Sequence, residues 1–264
     1  MKIIGIINLS EDSFSSTGRF SSIEDAVVYS QKLISDGCDI IDIGAESTKA
    51  KFKERSDDEQ LSKIIPFIKS LKKQNKSLEL SIDTRSPSVA RYAVEEGCTL
   101  INTVTTGDNI DEMLEIMTKH KSDIIFTHMP VEHMKGKNMS CDNIIDFLMR
   151  FFSDIKDKFS QYELDENKLI IDPGISFGKS GDDNLLIIRE IDKFVSEFKR
   201  VCIGASHKKF SSKVFKNLSS VNHNIVDLTI NSYVTYKGVE FIRVHDVDIM
   251  SDVSGVIKAL INSR

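Results

Sequence analysis

A chain of 264 residues with 40% hydrophobic content is long enough to bury a sizeable core, and one domain is the default for that length. Its 35 basic and 40 acidic residues leave a formal charge of −5, which excludes a general field for holding nucleic acid or an anionic membrane, so any anion site must be local. Cys38, Cys98, Cys141 and Cys202 are widely spaced, with no CxxC pair and no His grouping, which argues against a zinc site or a disulfide framework and for a reducing cytoplasm. The N-terminal apolar run meets charge by residue 11, too soon for a signal or membrane segment, and no other stretch reaches ~18 uninterrupted apolar residues.

In chain order, short apolar runs alternate with helical patterns. IIGIIN (3–8) precedes SIEDAVVYSQKLISDG (22–37), where Ala26, Val27, Tyr29, Leu33 and Ile34 form one apolar face between a capping Ser22 and a closing Gly37. IIDIG (40–44) precedes a charged loop and a helix over 58–74. LSIDT (80–84) precedes SPSVARYAVEEG, with Ser86 placed to cap and Pro87 at the first helical position. LIN (100–102) is followed by IDEMLEIMTKH, and IIFTH (124–128) by a polar linker and a long helix over roughly 142–160. LIIDPG (169–174) leads to DNLLIIREIDKF as one helix, VCIGASHK (201–208) to a broken helical region ending near Tyr236, and FIRVH (241–245) to IMSDVSGVIKALI.

Apolar runs without alternation suit strands buried on both faces. Eight strand-then-helix units, with no GxGxxG after the first, predict a (β/α)8 TIM barrel, a single α/β domain over 1–264, in preference to an open doubly wound sheet. Active-site residues then sit where the strands end: Asn8, Glu46 with Thr48 and Lys49, Asp83, Asn102, His128, Asp172, Ser206 with Lys208, and Arg243 with His245. Asp83, Asn102 and Asp172 suit a flat heterocycle, because an amidine-like edge needs a carboxylate and an amide edge needs a donor and an acceptor together. Asn8, Thr48, Lys49, Arg243 and His245 suit an anion.

Simpler roles compete for single residues. An Asp at a strand end also caps the next helix, Asp42 beside Gly44 reads as structural, and His128 before Met129 and Pro130 reads as a packed core histidine. His120, His133 and His223 lie in polar stretches and read as surface. The runs KAKFKER (49–55) and KKQNK (72–76) read as solvated faces, whereas HKKFSSKVFK (207–216) starts where the pocket is expected.

Taken together, these residues carry a resemblance. NLSEDSFS, DIIDIGAEST, SIDT, LIN, DPGISFGK, GASHK and RVHDV are similar, in order and spacing, to the motifs of the dihydropteroate synthases, folate-pathway transferases that join a dihydropterin to 4-aminobenzoate. The resemblance runs from Ile3 to about Val247. It implies that Asp83, Asn102, Asp172 and Lys208 hydrogen-bond the pterin, that Arg243 lies against its face, and that Met129, Phe177 and Gly204 line the pocket. It implies a Mg2+ ligand at Asn8, pyrophosphate contacts at Thr48, Lys49, Arg243 and His245, and an aminobenzoate side of Phe14, Thr48, Ala50, Phe177, Lys208 and Lys209. Catalysis falls to Lys208, Asp83, Asp172 and Arg243. The implied partners are the two small-molecule substrates and a second copy in a cytoplasmic homodimer, with no nucleic acid and no membrane.

Two other classes stay open at this stage. A pterin-dependent methyltransferase shares the barrel and the Asp/Asn/Asp edge, but has no use for Lys49, Arg243 and His245 together or for a Mg2+ ligand at Asn8. A paralogue that binds a pterin without turnover is the other.

The sequence departs from the family pattern in its loops. Glu11 stands where the pattern has Pro, Lys49-Ala50 where it has Arg-Pro, Thr103 where it has Asp, and His207 and Lys209 where it has Arg and Ser. Lys49 keeps a charge without Arg's planar fork, Ala50 frees a backbone that Pro stiffens, and Lys209 adds a cation near the place of a benzoate carboxylate. The arylamine pocket is therefore expected to favour the carboxylate substrate over neutral-headed sulfonamide mimics. The triple variant Lys49→Arg, Ala50→Pro, Lys209→Ser should become more sensitive to sulfonamides in a pyrophosphate-release assay, and sensitivity equal to that of the unmodified chain would overturn the expectation.

Overall fold

The computed structural model describes residues 1–9, 20–46, 55–206, 208, 214 and 223–262. Its strands are β1 Lys2–Asn8, β2 Ile40–Gly44, β3 Glu79–Asp83, β4 Leu100–Thr105, β5 Asp123–His128, β6 Leu169–Asp172, β7 Cys202–Ile203 and β8 Phe241–Val244. All pairings are parallel, in the order β6-β5-β4-β3-β2-β1-β8-β7. A parallel bridge between Ile171 and Val201 joins the two end strands, and the Ile171 N–H donates to the Arg200 carbonyl at 3.1 Å. The sheet thus closes into the (β/α)8 barrel that the alternation of runs predicts.

The helices between strands are α1 Ile23–Ser35, α2 Asp57–Gln74, α3 Pro87–Glu95, α4 Ile110–His120, α5 Val131–Met134, α6 Ile144–Gln161, α7 Gly181–Arg189 and α8 Ile191–Phe198, followed by helices over His223–Tyr236 and Val247–Asn262. Their starts follow from local chemistry. The Ser22 side chain accepts the Asp25 N–H, Ser56 and Glu59 form a capping box, and Ser86 accepts the Val89 N–H with Pro87 beside it. Two expectations are corrected. The single helix expected over DNLLIIREIDKF is two, because Glu190, at φ −96° and ψ 19°, leaves the helical path while its side chain is held by Arg189 at 2.9 Å and Lys193 at 2.8 Å. The polar linker after β5 carries the short α5.

Register decides what faces the lumen. Paired residues on neighbouring strands point to the same side, and side chains alternate along each strand. The pairs Ile4–Ile40, Ile4–Arg243, Ile6–Asp42, Asn8–Gly44, Gly44–Asp83, Asp83–Asn102, Asn102–Ile125, Ile125–Ile170 and Thr127–Asp172 therefore define one continuous inner face. Low in the lumen, Ile4, Ile40, Leu100, Ile125, Ile170, Cys202 and Phe241 close into an apolar plug. The alternate residues, among them Ile7, Ile41, Ile43, Ile82, Ile101 and Phe126, join the larger core under the helices. The polar inner residues sit above the plug.

Gly37 closes α1 at φ +100°, and a Cβ there would overlap the Ser251 hydroxyl. Gly37→Ala should cost about 1–2 kcal/mol for the left-handed backbone alone, plus the overlap. In urea titrations, adding Ser251→Ala should recover the second part and not the first.

Candidate active site

Arg243 projects from β8 into the polar layer. Its Nε donates to Asp42 Oδ2 at 2.6 Å and its Nη2 to Asp83 Oδ2 at 2.5 Å, while Asn102 Nδ2 donates to the same Asp42 oxygen at 2.9 Å. Three strands besides β8 thus meet in one buried cluster. Asp83 does not cap α3, since Ser86 does that. Asp172 Oδ1 accepts the Gly174 N–H at 2.8 Å, so the carboxylate is both turned by its own loop and presented to the lumen. A Cβ on Gly204 would lie 3.8 Å from Arg243 Cβ and 3.9 Å from Asp172 Oδ2, so glycine there leaves room between those two side chains.

The DPGISFGK segment forms the loop after β6. Gly174, at φ +74°, packs so tightly that a Cβ would overlap the His128 carbonyl. Lys179, 4% exposed, gathers three carbonyls with its ammonium: Gly174 at 2.9 Å, His128 at 3.2 Å and Phe177 at 3.3 Å. The loop so pinned holds the Phe177 ring, over which Lys208 Nζ stands at 4.3 Å from the centroid. His133, expected at the surface, is half-buried, with its ring edge-on to Phe177 at 5.2 Å. Met129 is fully buried, its N–H donating to the Thr105 carbonyl at 2.9 Å.

The remaining strand-end residues separate by parity. His128 follows inward-facing Thr127 and so points out to α6, where its ring meets Phe147 at 5.5 Å and Phe151 at 4.7 Å. Burial pushes it down to about 2, with Lys179 adding to the effect, and it is a neutral core histidine as the sequence suggests. His245 Nδ1 lies 3.2 Å from Ser206 Oγ, joining the ends of β8 and β7. Asn8 is exposed at the rim, close to Gly44. Glu46 accepts the Arg55 N–H at 3.1 Å. Phe14, Thr48, Lys49, Ala50 and Lys209 lie outside the described residues.

Burial raises the Asp83 carboxyl to about 6; Arg243 and Lys208 oppose the rise, and Asp42 and Glu46 add to it. Burial likewise raises Asp172, against the hydrogen bond from Gly174 and the charge of Lys208. Lys208 falls to about 8 through burial and the nearby Arg243, with Asp172 and Asp83 pulling back, and burial brings Lys179 to about 7. Burial disfavours the Arg243 charge, yet Asp42 and Asp83 more than offset this and hold it firmly protonated. Carboxylates, an amide and two cations so arranged can hydrogen-bond a flat, polar heterocycle and pair with an anionic group. Among the described residues no trio of His, Cys, Asp or Glu is grouped to hold a metal.

Sequence reasoning gave no role to Lys179 and set Asp42 aside. Both had a signal: Asp42 lies two residues before Gly44 and so shares its face, and Lys179 closes the DPGISFGK motif.

An enzyme of the pterin-binding class is what this barrel and polar layer define. The profile of that family, described as pterin binding enzyme, matches residues 4–245. The dihydropteroate synthase of Bacillus subtilis (strain 168) is 30% identical over 263 residues, covering 98% of this chain and 88% of the relative. Among solved structures, the Yersinia pestis dihydropteroate synthase with a sulfonamide drug complex aligns with a TM-score of 0.89 at 26% identity, over 99% of this chain and 94% of the other. The Xanthomonas albilineans dihydropteroate synthase with 4-aminobenzoic acid aligns with a TM-score of 0.88 at 28% identity, over 100% and 94%. The chain belongs to the pterin binding enzyme family, in its dihydropteroate synthase branch, and is a transferase.

Lys179→Met removes the donor shared by three carbonyls, of which Gly174 keeps the Phe177 N–H at 3.2 Å. Stability in urea should fall by at least about 2 kcal/mol. A loss below that would mean that the loop is held by other contacts.

Proposed function

We propose that this chain condenses 6-hydroxymethyl-7,8-dihydropterin pyrophosphate with 4-aminobenzoate, giving 7,8-dihydropteroate and pyrophosphate. The observation that carries the reading is the inner face on which Asp83, Asn102, Asp172 and Arg243 are presented from four strands, with Lys208 over Phe177 beside it. Asp83, Asn102, Asp172 and Lys208 hydrogen-bond the pterin, Arg243 lies on its face, and Met129, Phe177 and Gly204 shape the pocket wall.

The C–O bond to pyrophosphate breaks with its electron pair on the leaving oxygen, the arylamine lone pair forms the C–N bond, and the nitrogen's proton goes to solvent. An arylamine is already a competent nucleophile, so the burden is to stabilise charge. Positive character growing on the methylene carbon faces Asp83 and Asp172. Arg243 and His245, with Thr48 and Lys49 from the second loop, take the departing anion. Phe14, Thr48, Ala50, Phe177, Lys208 and Lys209 form the aminobenzoate side, which is completed once the ester is seated.

Mg2+ suits Asn8. This hard ion is commonly held by one or two protein oxygens with phosphate oxygens and water, and Asn8 offers an exposed side-chain amide at the rim. When bound it neutralises pyrophosphate charge.

A homodimer is supported by the surface. Of the ten large apolar side chains exposed among the described residues, seven (Ile225, Tyr233, Tyr236, Ile249, Val256, Leu260 and Ile261) lie on the helices His223–Tyr236 and Val247–Asn262. A cytoplasmic setting is supported by four free cysteines. No helix among the described residues is long and apolar enough to cross a membrane.

Pyrophosphate release from the pterin ester with Mg2+ should require 4-aminobenzoate and be lost in Asp172→Asn; pterin binding without release would overturn the synthase reading. Asp83 acts as the anion and ionises near pH 6, so kcat/KM should fall about tenfold per unit below that pH.

A further inference from the structure

We infer that Asp42 is a positioning residue of the pterin site: through one carboxylate oxygen it fixes the amide orientation of Asn102 and the plane of Arg243, and so selects which heterocycle edge the site accepts. The inference rests on the reading of the pocket as a pterin site.

Asp42 is fully buried and faces the lumen one inward step beneath Gly44, which is level with Asp83 and Asn102. Its Oδ2 takes both Asn102 Nδ2 at 2.9 Å and Arg243 Nε at 2.6 Å, while Oδ1 has no hydrogen-bond partner among the described residues. An ionised carboxylate only accepts. The opposite orientation of Asn102 would set its carbonyl oxygen against that charge. Asp42 therefore dictates that Asn102 turns an N–H inward and offers its oxygen, with the second N–H, to the ligand.

Arg243 is fixed in the same way from two sides. Nε is held by Asp42 and Nη2 by Asp83, so two carboxylates on different strands define the guanidinium plane. Asp42 acts on the ligand only through these two side chains. Its charge also bears on Asp83, which is faced by Arg243 from β8, by Asp42 and Glu46 from β2 and its loop, and by Lys208 after β7. Removing the Asp42 charge takes away a like neighbour and leaves Arg243 paired with Asp83 alone. Both changes favour the ionised form of Asp83.

The test is Asp42→Asn, which keeps the shape and removes the charge. KM for the pterin ester should rise about tenfold or more, while KM for 4-aminobenzoate changes less than about twofold. The acid limb of kcat/KM should move down by about one pH unit, which a merely structural defect would not do. A folded variant with unchanged pterin KM and an unmoved acid limb would overturn the inference. Calorimetric binding of 6-hydroxymethyl-7,8-dihydropterin separates the two readings: absence of turnover in the unmodified chain counts against the reaction, whereas an Asp42→Asn variant that binds this pterin with undiminished affinity counts against the tether. Should Asp42→Asn not fold, the unmodified protein decides. Its Asn102 side-chain amide, assigned by its loss in Asn102→Ser, should keep one proton protected from exchange, and two freely exchanging protons would overturn the inference.

Discussion

The parallel register of the barrel is the constraint on which the rest depends. A strand gives alternate side chains to lumen and helices, so a single pairing such as Asp83 with Asn102 commits both residues to the same side. Propagated around eight strands, this brings residues about 160 positions apart, Asp83 and Arg243, within 2.5 Å. A slip of one residue on β8 would send Arg243 into the helix layer and leave Asp42, buried at its side, without its cation.

Electrostatics then follows from burial. Removing Asp42 and Arg243 from water is unfavourable unless they are paired, and the pairing is shared with Asp83 and Asn102 rather than closed between two groups. The result is that Asp83 and Asp172 are harder to ionise than usual and that Lys179 and Lys208 are easier to discharge. Groups with shifted ionisation gathered in one concave place are what a functional site presents.

Much of this was legible in the sequence. Non-alternating runs gave eight strands, and the residues at their ends gave Asp83, Asn102, Asp172 and Arg243 as a set. Capping chemistry placed the starts of α1 and α3. Parity within a strand was the signal left unused: it separates His128, which faces Phe147 and Phe151, from Asp172, which faces the lumen, although both end strands. Asp42 was hidden by its depth, being one step below the residues that end the strands. The division of 183–194 at Glu190 was not legible, since its apolar spacing is continuous and the break appears in the backbone angles alone. Lys179 closes the DPGISFGK motif, but one of its acceptors, the His128 carbonyl, lies 51 residues away, which no local pattern announces.

Gly174 has a consequence for how this protein can change over generations. Any side chain there collides with the His128 carbonyl, and the same backbone aims Asp172 through its N–H. Selection thus has almost no viable alternatives to sample at this wall of the lumen. The departures Lys49, Ala50 and Lys209 show that other segments of the sequence do admit alternatives. A compound that presses on the Gly174 wall would meet a surface with few escape routes, and one that reaches for those segments would meet a sequence that has already drifted.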